Sequence, residues 1–195
     1  MFEFLSDNKT LFLILHLIGV SLGVGGATIT DVFFFKFLKD YRISHFEAGV
    51  MRILTQIIWA SIVLLVFSGL ALYLPRMDYF NESTKFLAKM AVFAVIVFNG
   101  IFLHFYISPY LVRISFHKKH KHQIGEVRHF RRIAFASGAV SLVSWYFALV
   151  MGALRSVSLS VGALLSLYIL LVLGAVLGSQ LLEWYFSRSA KKLMT

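Results

Sequence analysis

The stretch LFLILHLIGVSLGVGGATITDVFFF, from Leu11 to Phe35, is apolar over almost its whole length. About 20 helical residues cross a hydrocarbon core of roughly 30 Å, so this stretch is long enough to span a bilayer. Four further stretches share this character: Ile53 to Leu74, Leu87 to Val112, Ile133 to Leu154, and Leu159 to Trp184. Because only a helix satisfies its own backbone groups in lipid at this length, the sequence predicts an all-α bundle of five transmembrane helices.

The composition also indicates an integral membrane protein. Hydrophobic residues make up 59% of the 195 positions and charged residues 14%, which leaves too little polar surface to cover a water-soluble globule. The chain has no cysteine, which excludes disulfides and thiolate ligands. We expect a single membrane domain over residues 1–195, in a multi-pass protein of a bacterial-type inner membrane.

The distribution of basic residues predicts the orientation. Fourteen of the nineteen lysines and arginines fall between the first and second predicted helices, between the third and fourth, or after the fifth. The positive-inside rule assigns these regions to the cytoplasm, so the N-terminus is expected outside and the C-terminus inside. The net charge of +10 then reflects topology and attraction to membrane lipid, and no nucleic-acid partner is expected.

A histidine in the first segment, His16, precedes three glycines that return near its helical face. Gly19, Gly23 and Gly26 follow it by three, seven and ten residues. One interpretation is an iron-ligating imidazole beside a groove that holds a flat macrocycle. The alternative is that the small residues let neighbouring helices pack closely, with no ligand in the groove.

Polar residues at membrane depth usually face the bundle interior, and here they predict two tiers. His16 and Lys89 lie toward the outer side, so we expect them to form the outer tier, although Lys89 could instead snorkel to the interface. His104 falls about 17 Å away along the membrane normal. The two histidines are therefore not expected to share one iron, and two haems would be present if both bind one.

The inner tier is expected to group four polar side chains: His104, Asp31, Gln56 and Glu183. His104 is a candidate second haem ligand, and with the other three it is a candidate proton path. The sequence alone leaves both open, together with a purely structural hydrogen bond.

Several stretches resemble the HemJ-type protoporphyrinogen oxidases and the related CopD-like membrane proteins. They are, in chain order, LHLIGVSLGVGG at 15–26, LVFSGLALYL at 65–74, FLAKMAVFAVIVF at 86–98 and RHFRRIAF at 128–135. The resemblance covers residues 10–155, a four-helix core, and leaves residues 156–195 as an additional fifth helix and basic tail.

The resemblance implies haem b in the bundle, with His16 as an axial ligand and Lys89 near the iron or a propionate. It also implies electron transfer or oxidation of a small molecule, with a quinone, a porphyrin or an electron-transfer protein as partner. The chain departs from the family in two places: the region from Thr28 to Asp31 replaces an arginine near the end of the family's first helix, and a fifth helix is added. Two other functions stay open: a small proton or cation transporter, and an accessory subunit of a larger membrane complex. The glycine-rich faces are compatible with a homo-oligomer.

Overall fold

The computed structural model describes the backbone of residues 2–40, 45–107 and 124–192. Within these ranges side chains are described except at residues 2, 34, 35, 37–40, 45, 124–131 and 186–192. The described residues form helices joined by short turns and contain no strand. The α-helices are numbered in chain order: α1 (Phe2–Asp7), α2 (Lys9–Asp40), α3 (His45–Tyr73), α4 (Met77–Asn81), α5 (Thr84–Phe102), α6 (Ile124–Ala153) and α7 (Val161–Lys192).

Five of these elements are long and apolar enough to cross a membrane, which confirms the predicted number of spanning helices. The qualifying segments are Lys9–Phe33, Phe46–Asn81, Thr84–Ile107, Arg132–Ala153 and Val161–Tyr185. Most of the basic residues behind the orientation lie outside the described side chains. The orientation and the choice of membrane therefore stay predictions.

Local signals explain where the helices begin and end. Ser83 caps α5, its hydroxyl accepting a hydrogen bond from the backbone N–H of Phe86 at 3.4 Å. Ser160 does the same for α7, accepting from the N–H of Ala163 at 3.2 Å. Each cap satisfies a backbone donor that the first turn of a helix leaves without a partner. Pro75 follows α3 in a short 3₁₀ turn, Leu74–Arg76.

Helix α6 occupies the middle of the bundle, since it packs against α2, α5 and α7, and α3 packs along α2. The central core joins all five spanning helices through buried side chains that include Ala27, Leu65, Val92, Trp145 and Leu164. On α5 the buried residues recur every fourth position, so that helix turns one face to the core. The α2–α3 pair and the α2–α6 contact position the polar groups described below.

Candidate functional site

His16 meets Ser68 across the contact between α2 and α3. Its Nδ1 lies 3.0 Å from Ser68 Oγ, and Ser68 is fully buried. The Ser68 hydroxyl also lies 2.6 Å from the carbonyl oxygen of Leu64, to which it donates its single hydrogen. Ser68 Oγ therefore accepts from Nδ1–H of His16. This arrangement leaves the other ring nitrogen, Nε2, with a free lone pair.

The residue after Ser68 is a glycine that lies against the same ring. A Cβ atom at Gly69 would stand 3.6 Å from Cε1 of His16, an ordinary van der Waals contact. Sequence reasoning placed this Ser-Gly pair in a family-like stretch and gave it no role. The available signal was a serine and glycine together in an apolar helix, at the level where an antiparallel neighbour carries a histidine.

The depth argument predicts Lys89 at the level of His16. The lysine is half-buried on α5, and its ammonium group is close enough to act electrostatically on the His16 ring. Its Nζ lies 5.9 Å from the centre of the Phe86 ring. One turn earlier, Lys85 donates to the carbonyl oxygen of Leu154, at the end of α6. The outer tier thus contains an imidazole and a nearby cation.

The glycine stripe of α2 contacts neighbouring helices. A Cβ atom at Gly19 would lie 3.0 Å from Leu65 Cγ, and one at Gly26 would lie 3.0 Å from Ile58 Cγ1. At Gly23 it would overlap the ring of Trp145 from α6. Protein side chains therefore lie against the three glycines, as in the helix-packing interpretation.

Only part of this region therefore fits a haem group. The His16 imidazole fits an axial ligand, since histidines that bind metals donate their second ring N–H to a fixed acceptor, as His16 does to Ser68. The glycines do not form the cradle. Any haem at His16 would have to lie against other surfaces than the stripe of Gly19, Gly23 and Gly26.

His104 lies apart from the outer tier. It belongs to a π-helical turn, Leu103–Ile107, that ends the third spanning segment, and its side chain is exposed. Its ring packs edge-on against Trp59 at 6.3 Å between centres and against Phe105 at 5.0 Å. π-Helical turns are frequent at functional sites, but the two ring contacts described for His104 are both apolar.

Asp31 is the buried carboxyl group of the inner half of α2. Its side chain is 8% exposed and faces α6, where Oδ1 would lie 3.2 Å from a Cβ atom at Gly138. Oδ2 is buried, and no side chain or backbone group of the described residues bonds to it. The residue next to Gly138 is bonded elsewhere: Ser137 donates to Asn99 Oδ1 at 2.7 Å, and Asn99 donates to its carbonyl oxygen at 3.0 Å.

The other members of the expected inner tier lie on different faces. Gln56 is exposed on α3. Glu183 is fully buried on α7, where its Oε2 accepts from Nε of Arg132 at 3.4 Å. Gln180, one turn before Glu183, donates to the carbonyl oxygen of Arg132 at 3.0 Å. The contacts described for Asp31, Gln56, Glu183 and His104 are thus with different partners, and a cluster of the four stays a prediction.

Comparisons with models of protein families, with curated proteins and with solved structures find no match to this chain. Over the ranges that the structure describes, no three His, Asp or Glu residues come together as a group that could hold a metal ion.

Proposed function

We propose that this chain is an integral membrane protein that binds one haem b through His16 and acts in electron transfer or in oxidation of a small molecule. The observation behind this proposal is the hydrogen bond from His16 Nδ1 to Ser68 Oγ, which leaves the lone pair of Nε2 free to bind iron. The likeness of residues 10–155 to HemJ-type and CopD-like membrane proteins supports the same proposal.

The residues around His16 have separate roles in this proposal. Ser68 fixes the tautomer and the orientation of the imidazole, and its burial between α2 and α3 keeps water from competing for the hydrogen bond. Lys89 supplies a positive charge that favours a propionate or another anionic group nearby. When bound, haem supplies a one-electron redox centre whose potential depends on its axial ligands and on burial.

His104 is not proposed as a haem ligand, because its ring contacts Trp59 and Phe105. One haem per chain is therefore expected where two were considered from the sequence. The predicted orientation, with the N-terminus outside, puts His16 in the outer half of the membrane. A quinone, a porphyrin or an electron-transfer protein would then exchange electrons at that side.

The visible spectrum of the purified protein tests this function. We expect a Soret band in the wild type, supplied with haem during expression, and its loss in His16→Ala. His104→Ala is the matched control, because it removes an intramembrane histidine that we place outside the site. A well-folded wild type that stays colourless, or a Soret band that His16→Ala leaves intact, would overturn the proposal.

The transporter alternative receives less support from the contacts. Gln56 is exposed, and Glu183 is paired with Arg132 on the α7 side of α6, whereas Asp31 faces α6 from α2. No chain of hydrogen bonds links these groups among the described residues. An accessory role in a larger complex is compatible with the haem proposal, since such a subunit could carry the electron centre.

A further inference from the structure

Asp31 is a polar group that the proposed haem site does not use. It lies fifteen residues from His16 on the same helix, a rise of about 22 Å, and the contact of Gly23 with Trp145 lies between the two. The side chain is more than nine-tenths buried, and within the described part of the chain its Oδ2 has no hydrogen-bond partner. A carboxyl group in this position requires an explanation, because buried polar atoms are nearly always bonded.

The polar groups beside Asp31 are already engaged with one another. Asn99 and Ser137 form a reciprocal pair between α5 and α6, and Thr30 donates to the carbonyl oxygen of Gly26 at 2.7 Å. None of them donates to Oδ2. An ionised carboxylate without donors is costly in the interior, whereas a protonated carboxyl group needs no external charge to balance it.

The surroundings suit a proton better than a metal ion. Calcium takes six to eight oxygen ligands and magnesium needs near-octahedral coordination, while a proton needs one oxygen. Gly138, which faces Oδ1, has no side chain to offer, and the described ranges contain no carboxylate or histidine cluster beside Asp31. The ligand class that this single carboxyl group can bind is therefore the proton.

The charged groups on the helices that pack against Asp31 define the side from which the proton comes. Lys36 is exposed on α2, five residues or about 7.5 Å beyond Asp31 toward the basic end of the bundle. On the facing helices, the charged groups with described side chains at the inner ends are Glu47 and Arg52 on α3 and Arg132 on α6. Arg132 is bonded to Glu183 on its far side. Glu126, Arg128 and Arg131 of α6 lie outside the described side chains. The short α1, at the opposite end of α2, carries Glu3 and Asp7.

We propose that Asp31 is a proton-binding site at the α2–α6 contact, which exchanges its proton with the basic, inner side of the membrane only. The proton is held on the carboxyl group while α2 and Gly138 stay in contact. Release leaves a carboxylate that has no donor at Oδ2, so it favours opening of this contact toward the level of Lys36 and Arg132. The site is one-sided because the packed ring of Trp145 closes the route toward His16.

Labelling of the intact wild-type protein with dicyclohexylcarbodiimide tests the assignment. The acid O–H adds across one C=N bond: the proton moves to nitrogen, the carboxyl oxygen bonds to carbon, and the adduct rearranges to a stable N-acylurea. The reaction needs a protonated carboxyl group and an apolar setting. We expect the adduct on the peptide that contains Asp31 in acidic buffer, and its decline in alkaline buffer.

Glu183 is the internal control, because it is also a buried carboxyl group but is paired with Arg132. It should remain unlabelled under conditions that label Asp31. Absence of the adduct at Asp31 in acidic buffer, or equal labelling of Glu183, would overturn the proposal. Protection of Asp31 by sodium ions at constant pH would overturn it too, since it would identify a cation site.

Two variants test the location of the proton-binding site. Gly138→Ala places a methyl group 3.2 Å from Asp31 Oδ1 and should slow labelling several-fold. Gly152→Ala on the same helix meets open space and should leave the rate unchanged. Equal rates in the two variants would contradict a site at the α2–α6 contact. These readouts do not involve haem, so failure here and failure at His16 are distinguishable.

Discussion

His16 and Asp31 lie on the same helix, and the bundle surrounds them in opposite ways. His16 is half-buried, yet its Nδ1 has a fixed partner in Ser68. Asp31 is almost fully buried, yet one of its oxygens has none. The difference shows that the burial of a polar group and its hydrogen bonding are determined separately in a membrane bundle. Burial depends on helix packing, whereas hydrogen bonding depends on which residue the neighbouring helix presents.

The contact between Gly23 and Trp145 separates these two regions, and its disruption should have the largest effect. Gly23→Val adds atoms where the Trp145 ring already lies, so we expect it to lower the free energy of unfolding by about 3 kcal/mol or more. Gly25→Val, on an open face of α2, is the matched control. Unfolding in mixed micelles of increasing SDS content measures both, and equal losses would show that this contact is not tightly packed.

Removal of the partner of His16 should have the next largest effect. Ser68→Ala leaves Nδ1–H of His16 without its acceptor at a buried position, which we expect to cost about 1–3 kcal/mol of unfolding free energy. Ser21→Ala removes an exposed hydroxyl from α2 and should be neutral by comparison. The same SDS titration applies. A loss no greater than that of the control would mean that the hydrogen bond does not hold the ring.

The pair formed by Asn99 and Ser137 provides a polar contact at the inner level that is satisfied. A double-mutant cycle with Asn99→Ala and Ser137→Ala should give a coupling between about 0.6 and about 1.7 kcal/mol, the average and the maximum for interhelical hydrogen bonds in a membrane protein. Additive losses would contradict a direct interaction. The result measures how much an interhelical hydrogen bond contributes to the unfolding free energy in the half of the bundle that contains Asp31.

The smallest change is expected at Asp31 itself. Asp31→Asn keeps the shape of the protonated side chain and removes no hydrogen bond, so the unfolding free energy should fall by less than it does in Ser68→Ala. The two variants are compared in one buffer and one detergent mixture. A larger loss in Asp31→Asn would reverse the contrast between the two regions.

The five helices could be predicted from the sequence because hydropathy and length determine them directly. Depth along the membrane normal was also accessible, since the rise per residue is constant, and it placed His16 and Lys89 at one level. The rotation of each helix about its axis could not be predicted from the sequence. For that reason Gln56 was expected in the inner tier, whereas its side chain is exposed.

Partners across helices were the least predictable part of the site. Ser68 is one of many serines in apolar segments, and only the antiparallel alignment of α2 and α3 brings it to His16. Arg132 was interpreted as a topology signal, yet it is also the partner of the buried Glu183. The glycine stripe had two interpretations because a small residue permits a cofactor and a neighbouring side chain equally well.

The fit of Trp145 against Gly23 has a consequence for homologous chains. A larger residue at position 23 can be accommodated only where a smaller ring or an aliphatic side chain replaces the indole. The two positions should therefore covary in volume during divergence, so Trp145→Leu should restore a protein weakened by Gly23→Ala. This reciprocal size rule gives a criterion for recognising chains with the same helix arrangement after other sequence similarity has been lost.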